Sequence, residues 1–292
     1  MQIVFHIGAH CTDTDRLVRS LLRNRETLAR EAVSVPGPGR YRRVLSEALQ
    51  KLRGEPASAE TQDVLLEAVI DDDQAERVIL SNESFICMPG KVLEDGQLYA
   101  RAHKSAWLRH AFPTAEVEFV LAVRSLASFI PALYETLDPD MTNAGEFMAG
   151  VEPHKLRWSD YVARIQAANP GCPVTIWCDE DSPMIWPEIM REVAGVDASV
   201  PLVGALDLTR KIMEPEGHKR LRGYLRTNPP ANENVRRRVV AAFLSKYALD
   251  EAVEQEVHLP GWDEMLIDEL NEIYDEDVDT LARMPGVTVI AP

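Results

Sequence analysis

The stretch from His6 to Arg16, HIGAHCTDTDR, gathers the side chains and the backbone best suited to chemistry. Ile3, Val4, Phe5 and Ile7 before it form the short apolar run of a buried parallel strand that ends at Gly8. After it, Leu17, Val18, Leu21 and Leu22 recur at helical spacing from Arg16 on. The pattern is strand, tight loop, helix. Such a loop aims backbone N–H groups from Gly8, Ala9, His10, Cys11, Thr12, Asp13, Thr14 and Asp15, together with a helix N-terminus, at one point, which suits phosphate or sulfate. It is not a phosphate-binding loop of the Walker type, because Asp13, Thr14 and Asp15 stand where glycine, lysine and a hydroxyl residue are needed.

Each of these residues also has a plainer use. Asp15 just before RLVRSLL suits a helix N-cap, Cys11 is a small residue for a tight loop as well as a thiol at a helix terminus, and His6 is placed for the core. His10, Cys11, Asp13 and Asp15 are metal-ligand types, but their spacing matches no standard site, so no metal is expected. Two further positions lie at strand ends, where open α/β sheets put their sites. Glu83 follows the run Val78 to Leu80 in RVILSNESF, where it serves as a base or as a cap of the turn. Arg124 ends Phe119 to Val123, where it pairs with an anion or with an acidic neighbour.

Helices are expected over Tyr41 to Arg53, Ala59 to Asp73 and about Leu98 to Phe112. SLASFIPALYETL is apolar enough for a helix on the sheet, with Pro131 at a kink or before a later start. Asp138 to Ala168 reads as mostly helical and part of a lid, with Trp158 to Ile165 its most periodic piece. A fourth strand, PVTIWCDEDS, ends in Asp179, Glu180 and Asp181. Nine Lys and Arg then crowd Arg210 to Arg238, as a solvated face, a partner for the acidic stripe of Leu259 to Arg283, or a cover over a nucleotide.

Composition sets the bounds. At 292 residues and 46% hydrophobic content the chain buries a large core, and its net charge of −16 argues against a nucleic-acid surface. Cys11, Cys87, Cys172 and Cys178 lack the spacing of a zinc site or a disulfide framework. The start MQIVFHIG has no basic segment ahead of a long apolar one, and no apolar run reaches about 18 residues, so export and membrane spanning are not expected and the cytoplasm is the default.

His6, Ile7, Gly8, Ala9, His10, Thr12, Thr14 and Leu17 resemble the opening signature of the sulfotransferase family, in a bacterial branch that reads close to HIGAHKTGTTSL. Arg124 and Tyr134 match that family's second signature, a strand ending in arginine with an aromatic residue further on. Ala132 replaces its serine, with Ser125 and Ser128 nearby. The closing MPGVTVIAP is similar to the end of the same branch. The resemblance implies an α/β three-layer sandwich around a parallel sheet, P-loop-related. It would be one domain over 1–292, with helical insertions at about 36–73 and 138–168 and a helical part at about 210–283.

It also implies sulfuryl transfer from 3′-phosphoadenosine 5′-phosphosulfate to a hydroxyl or amine of a small-molecule or glycan acceptor. The loop amides with Thr12 and Thr14 would hold the donor's 5′ end and Arg124, aided by Ser128, its 3′-phosphate. Glu83 and His10 would be the catalytic groups. Cys11 in place of the family's lysine, and Asp13 and Asp15 in place of glycine and a hydroxyl residue, predict a slowed or silent enzyme. A lost cationic donor typically costs about 10²–10³ in rate. Arg16 restores some charge if its side chain turns back.

Overall fold

Six parallel strands form one sheet in the order β2-β3-β1-β4-β5-β6. They are β1 Gln2–His6, β2 Val33–Ser34, β3 Arg77–Ser81, β4 Glu116–Val123, β5 Val174–Cys178 and β6 Val287–Ile290. The computed structural model describes residues 1–70, 74–138, 143–253 and 259–292. Fourteen α-helices accompany the strands among these residues: α1 Arg16–Arg23, α2 Arg25–Arg30, α3 Pro38–Leu52, α4 Ala59–Val69, α5 Ser105–Ala111, α6 Leu126–Glu135, α7 Ala144–Phe147, α8 Trp158–Ala168, α9 Ser182–Ala194, α10 Thr209–Ile212, α11 Pro215–Thr227, α12 Glu233–Tyr247, α13 Asp250–Val253 and α14 Glu264–Arg283. None is long and apolar enough to cross a membrane.

The central strands are apolar throughout because both of their faces are covered. Ile3, Phe5 and Ile7 point into a core shared with α3, α4, α5, α6, α8 and α14, whereas Val4 points into a second core with α1, α2 and α9. Three layers result. The expected strands at Ile3, Val78, Phe119 and Pro173 are β1, β3, β4 and β5, with β2 and β6 added at the two edges.

At the amino ends of the strands a polar bar crosses the sheet. Arg77 on β3 donates to Glu118 on β4 at 2.8 Å and to Gln2 on β1, and Thr175 on β5 donates to Glu118 at 3.2 Å. Glu118 is only 7% exposed. Its charge is tolerated there because Arg77 and two further donors surround it.

Pro131 lies inside α6, neither breaking the helix nor starting it. Having no N–H, it leaves the carbonyl of Ala127 without its helical partner. The indole Nε1–H of Trp262 fills that place at 2.8 Å. α8 is not a lid over the site. Its Trp158, Tyr161, Val162 and Ile165 are buried in the core beside Tyr99, although 139–142 of the expected lid lie outside the described residues.

The other boundaries move for local reasons. Tyr99 has a left-handed φ of 49° and delays the helix expected from Leu98, so α5 begins at Ser105. The helix expected to reach Asp73 ends at Val69, and 71–73 lie outside the described residues. α14 starts at Glu264, where the Asp263 carboxylate accepts from the N–H of Leu266. Its neighbours are α6, α8 and β6, and among the described residues no ion pair joins it to the basic helices α11 and α12.

Candidate functional site

The chain leaves β1 for β2 on one side of the sheet, and later crosses from β3 over β1 to β4 on the other. The carboxyl ends of β1 and β4 therefore flank the topological switch point, where ligands of such sheets sit. From β1 comes the loop 7–15, from β4 come Arg124 and Ser125, and from β5 come Asp179 and Glu180.

Much of the loop's hydrogen-bonding capacity is spent inside the protein. Ladder pairing with β4 continues past β1: the N–H groups of Ile7 and Ala9 donate to Val120 and Ala122, and that of Ala122 donates back to Gly8. Gly8 has a φ of 108°, and a Cβ there would meet the His10 nitrogen at 3.2 Å and the Cα of Glu83 at 3.5 Å, so glycine is required. The His10 N–H donates to the Tyr99 hydroxyl at 2.9 Å, and the Thr12 hydroxyl donates to the carbonyl of Ala9 at 2.7 Å. Thr12 thus faces inward, and Thr14 is exposed.

Asp13 then turns its carboxylate onto the start of α1. One oxygen accepts from the N–H of Asp15 at 3.2 Å and the other from that of Leu17 at 2.9 Å, while its carbonyl accepts from Arg16. Asp13 is 6% exposed. The charge that this loop was expected to take from a ligand is supplied by its own side chain. Asp15 is therefore not the cap that its position suggests. It sits in the left-handed region with φ 63° and gives its carboxylate to Arg42, whose guanidinium also donates to the carbonyl of Ser81. Arg42 holds the Asp15 carboxyl below the usual range.

Beside this loop, at the ends of β4 and β5, opens a cleft of about 610 Å³. Arg16, Arg124 and Lys211 bring positive charge to it, Asp179 and Glu180 negative charge, and Ser125, Ser128, Ser182 and Asn271 neutral polar groups. Arg124 is 8% exposed and bridges the two loops: its Nη1 donates to the carbonyl of Cys11 at 2.6 Å and its Nε to the Ser128 hydroxyl at 2.8 Å. Trp158 fixes the same residue from below by donating to its carbonyl. The Glu180 carboxylate accepts from the N–H of Ser125 at 2.8 Å and from the Tyr274 hydroxyl at 3.1 Å.

Protonation is set by burial. Asp179, pressed into the protein and beside Glu180, has its carboxyl pushed up to about 7 in spite of Arg124. Lys211 is lowered by burial and by the nearby charges of Arg16 and Arg19. Burial raises the Cys11 thiol to about 11, outweighing Arg124, so it is no thiolate at neutral pH.

The residues expected to act are only partly brought together. Arg16, Arg124 and Ser128 meet in the cleft. Glu83 is half-buried on the other side of the loop, beside Gly8, with its carboxyl raised first by burial and then by Asp13 and Asp15. His10 is buried against Tyr99, with Nδ1 2.9 Å from the hydroxyl, Nε2 3.4 Å from that of Ser84, and its pKa lowered to about 4 by burial. A tyrosine that accepts from the His10 amide and donates to Nδ1 satisfies all three groups, which makes His10 a neutral spacer. Asp179, Lys211 and Asn271 also line the cleft; the acidic end of the β5 segment pointed towards the first and the basic run from Arg210 towards the second, while nothing marked Asn271.

No family model, curated protein or solved structure matches this chain.

Proposed function

We propose that the chain is a sulfotransferase-like protein of P-loop-related fold. It takes an adenine nucleotide bearing phosphate or sulfate, such as 3′-phosphoadenosine 5′-phosphosulfate, in the cleft beside Arg124. Three features support this reading: the opening signature, a sheet with β1 between β3 and β4, and the cations Arg16, Arg124 and Lys211 around one cleft. These cations would meet the anionic groups, and Ser125, Ser128 and Asn271 would orient them. The nucleotide, when bound, supplies the sulfuryl group. Asp179 suits the role of proton acceptor for a hydroxyl or amine better than Glu83, because it lines the cleft and titrates near neutrality.

One observation favours a non-catalytic binding protein of the same fold over an enzyme of ordinary rate: the Asp13 carboxylate already occupies the amides at the start of α1. With Cys11 uncharged beside it, the loop brings no cation to a developing charge. Calorimetric titration with adenosine 3′,5′-bisphosphate tests the reading. Binding lost in Lys211→Ala and Arg124→Lys is expected. No heat at millimolar nucleotide would remove the nucleotide and leave a scaffold.

A further inference from the structure

Across α10 from that cleft lies a second, larger cavity of about 960 Å³, between α11 and the turn at Gly204 to Asp207. In a chain with 47 Asp and Glu against 31 Lys and Arg, its lining reverses the sign of the whole. Arg210, Lys219, Arg222 and Arg226 all border it, and none of the four forms an ion pair among the described residues. The single carboxylate there, Asp207, is already paired with Arg23. Arg222 and Arg226 stand one turn apart on α11, so their forks rise from the same wall. Nε2 of His218, on that wall, is buried without a partner among the described residues.

The two glycines of α11 separate packing from function. Gly217 is needed by the fold, because a Cβ there would fall 2.3 Å from the Cβ of Tyr247 on α12. Gly223 has no such neighbour: nothing lies within 4 Å of the position its Cβ would take, and it lines the cavity. A glycine inside a helix costs roughly 0.5–1 kcal/mol relative to alanine, and here no packing requires it. What it provides is bare backbone between cationic side chains, where a ligand can come close.

We propose that this cavity is a binding site for a small molecule carrying two or more tetrahedral oxyanions, phosphate or sulfate, held by Arg210, Arg222 and Arg226 over Gly223. Its volume is in the range of drug-sized ligand sites. Guanidinium forks match such oxyanions bidentately, and the local reversal of charge draws them through the field of an otherwise acidic surface. The site is separate from the cleft of Arg124 and does not depend on what that cleft binds.

Calorimetry on the full chain at low salt, with inorganic tripolyphosphate in one arm and a trisulfated disaccharide in the other, tests this and tells the two oxyanions apart. One molecule of at least one probe should bind per chain, more weakly as salt rises. Arg222→Ala and Arg226→Ala should each weaken it by about 10- to 100-fold, the loss typical of a hydrogen bond to a charged group. Gly223→Leu, which improves helix propensity and fills only open space, should abolish binding while leaving the melting temperature unchanged or higher. Lys211→Ala, in the other cleft, should bind as wild type does. Heat from neither probe, or equal binding by wild type and an Arg222→Ala/Arg226→Ala variant of unchanged circular dichroism, would overturn the assignment.

Discussion

Replacing Asp13 by Asn changes one charge at the place where loop and helix meet, and two quantities should move in opposite directions. The carboxylate accepts from the N–H groups of Asp15 and Leu17; an amide of the same shape keeps one acceptor and turns an NH2 against the other donor. Loss of such a cap costs about 0.5–2 kcal/mol. With unfolding entropy of roughly 2.1 cal/mol/K per residue over 292 residues, the melting temperature should fall by about 1–3 °C. Anion affinity should rise. A unit charge about 4 Å from a ligand phosphate repels it by roughly 4 kcal/mol at an effective dielectric of 20. Solvent reaches this loop at exposed Thr14, so a dielectric of about 40 and roughly 2 kcal/mol, near 30-fold in Kd, is the more suitable figure.

Differential scanning calorimetry gives the first quantity and titration with adenosine 3′,5′-bisphosphate the second. Adding Cys11→Lys should extend the gain in affinity. An Asn variant that melts where wild type does would show that Asp13 is not the cap. One that melts lower yet takes the nucleotide no more tightly would show that the loop does not face the ligand.

Three other outcomes follow from groups placed elsewhere. Asp179, with its folded pKa raised to about 7, keeps a proton that the unfolded chain gives up near pH 4, so its contribution to stability declines as pH rises between those values. Asp179→Asn should then raise the melting temperature at pH 8 and not at pH 4, and a pH-independent difference would count against the assignment. Glu118→Ala leaves the Arg77 guanidinium, 13% exposed in its side chain, without its partner and should cost about 3–5 kcal/mol by urea denaturation. Arg77→Met/Glu118→Leu should regain most of that, and failure to do so would mean the pair does more than neutralise itself. Trp262→Phe orphans the carbonyl of Ala127 and should cost about 1 kcal/mol, a penalty that Pro131→Ala in the same background removes if the carbonyl is its source.

What the sequence revealed and what it hid divide along the range of the interactions involved. β1, α1 and β4 are legible because their signals, an apolar run and a helical period, are local. β2 is two residues long and exists only by pairing with β3, so no period marks it. Adjacency to the helix suggested Asp15 as the cap, but Thr14 and Asp15 are both left-handed, which carries the chain back so that Asp13 reaches the first turn. The partners that decide the site are remote: Arg42 for Asp15, Tyr99 for His10, Cys11 for Arg124. The basic run is divided in the same way, since Arg236 and Arg237 are taken by Glu188 of α9 while Arg222 and Arg226 are left to the cavity.

A loop that satisfies its own helix terminus also decides which side of the switch point is left for a ligand. An external anion gains from backbone amides only if those amides lack partners, and here Asp15, Arg16 and Leu17 already donate to Asp13 while Ala9 and His10 donate to β4 and Tyr99. Those amides are closed to an external anion, and the cations Arg16, Arg124 and Lys211 meet the cleft on the β4 and β5 side. Two of these are constrained already: Arg124 is engaged with Cys11 and Ser128, and Lys211 is lowered first by burial and then by Arg16 and Arg19. Crowded like charges of this kind would be relieved by a bound anion, since Asp179, pressed into the protein, is pushed up to about 7 and Glu180 is engaged with Ser125 and Tyr274. The strand, glycine and helix of an anion loop persist here, and under the proposed reading the cations that would attract the anion line the cleft one strand over.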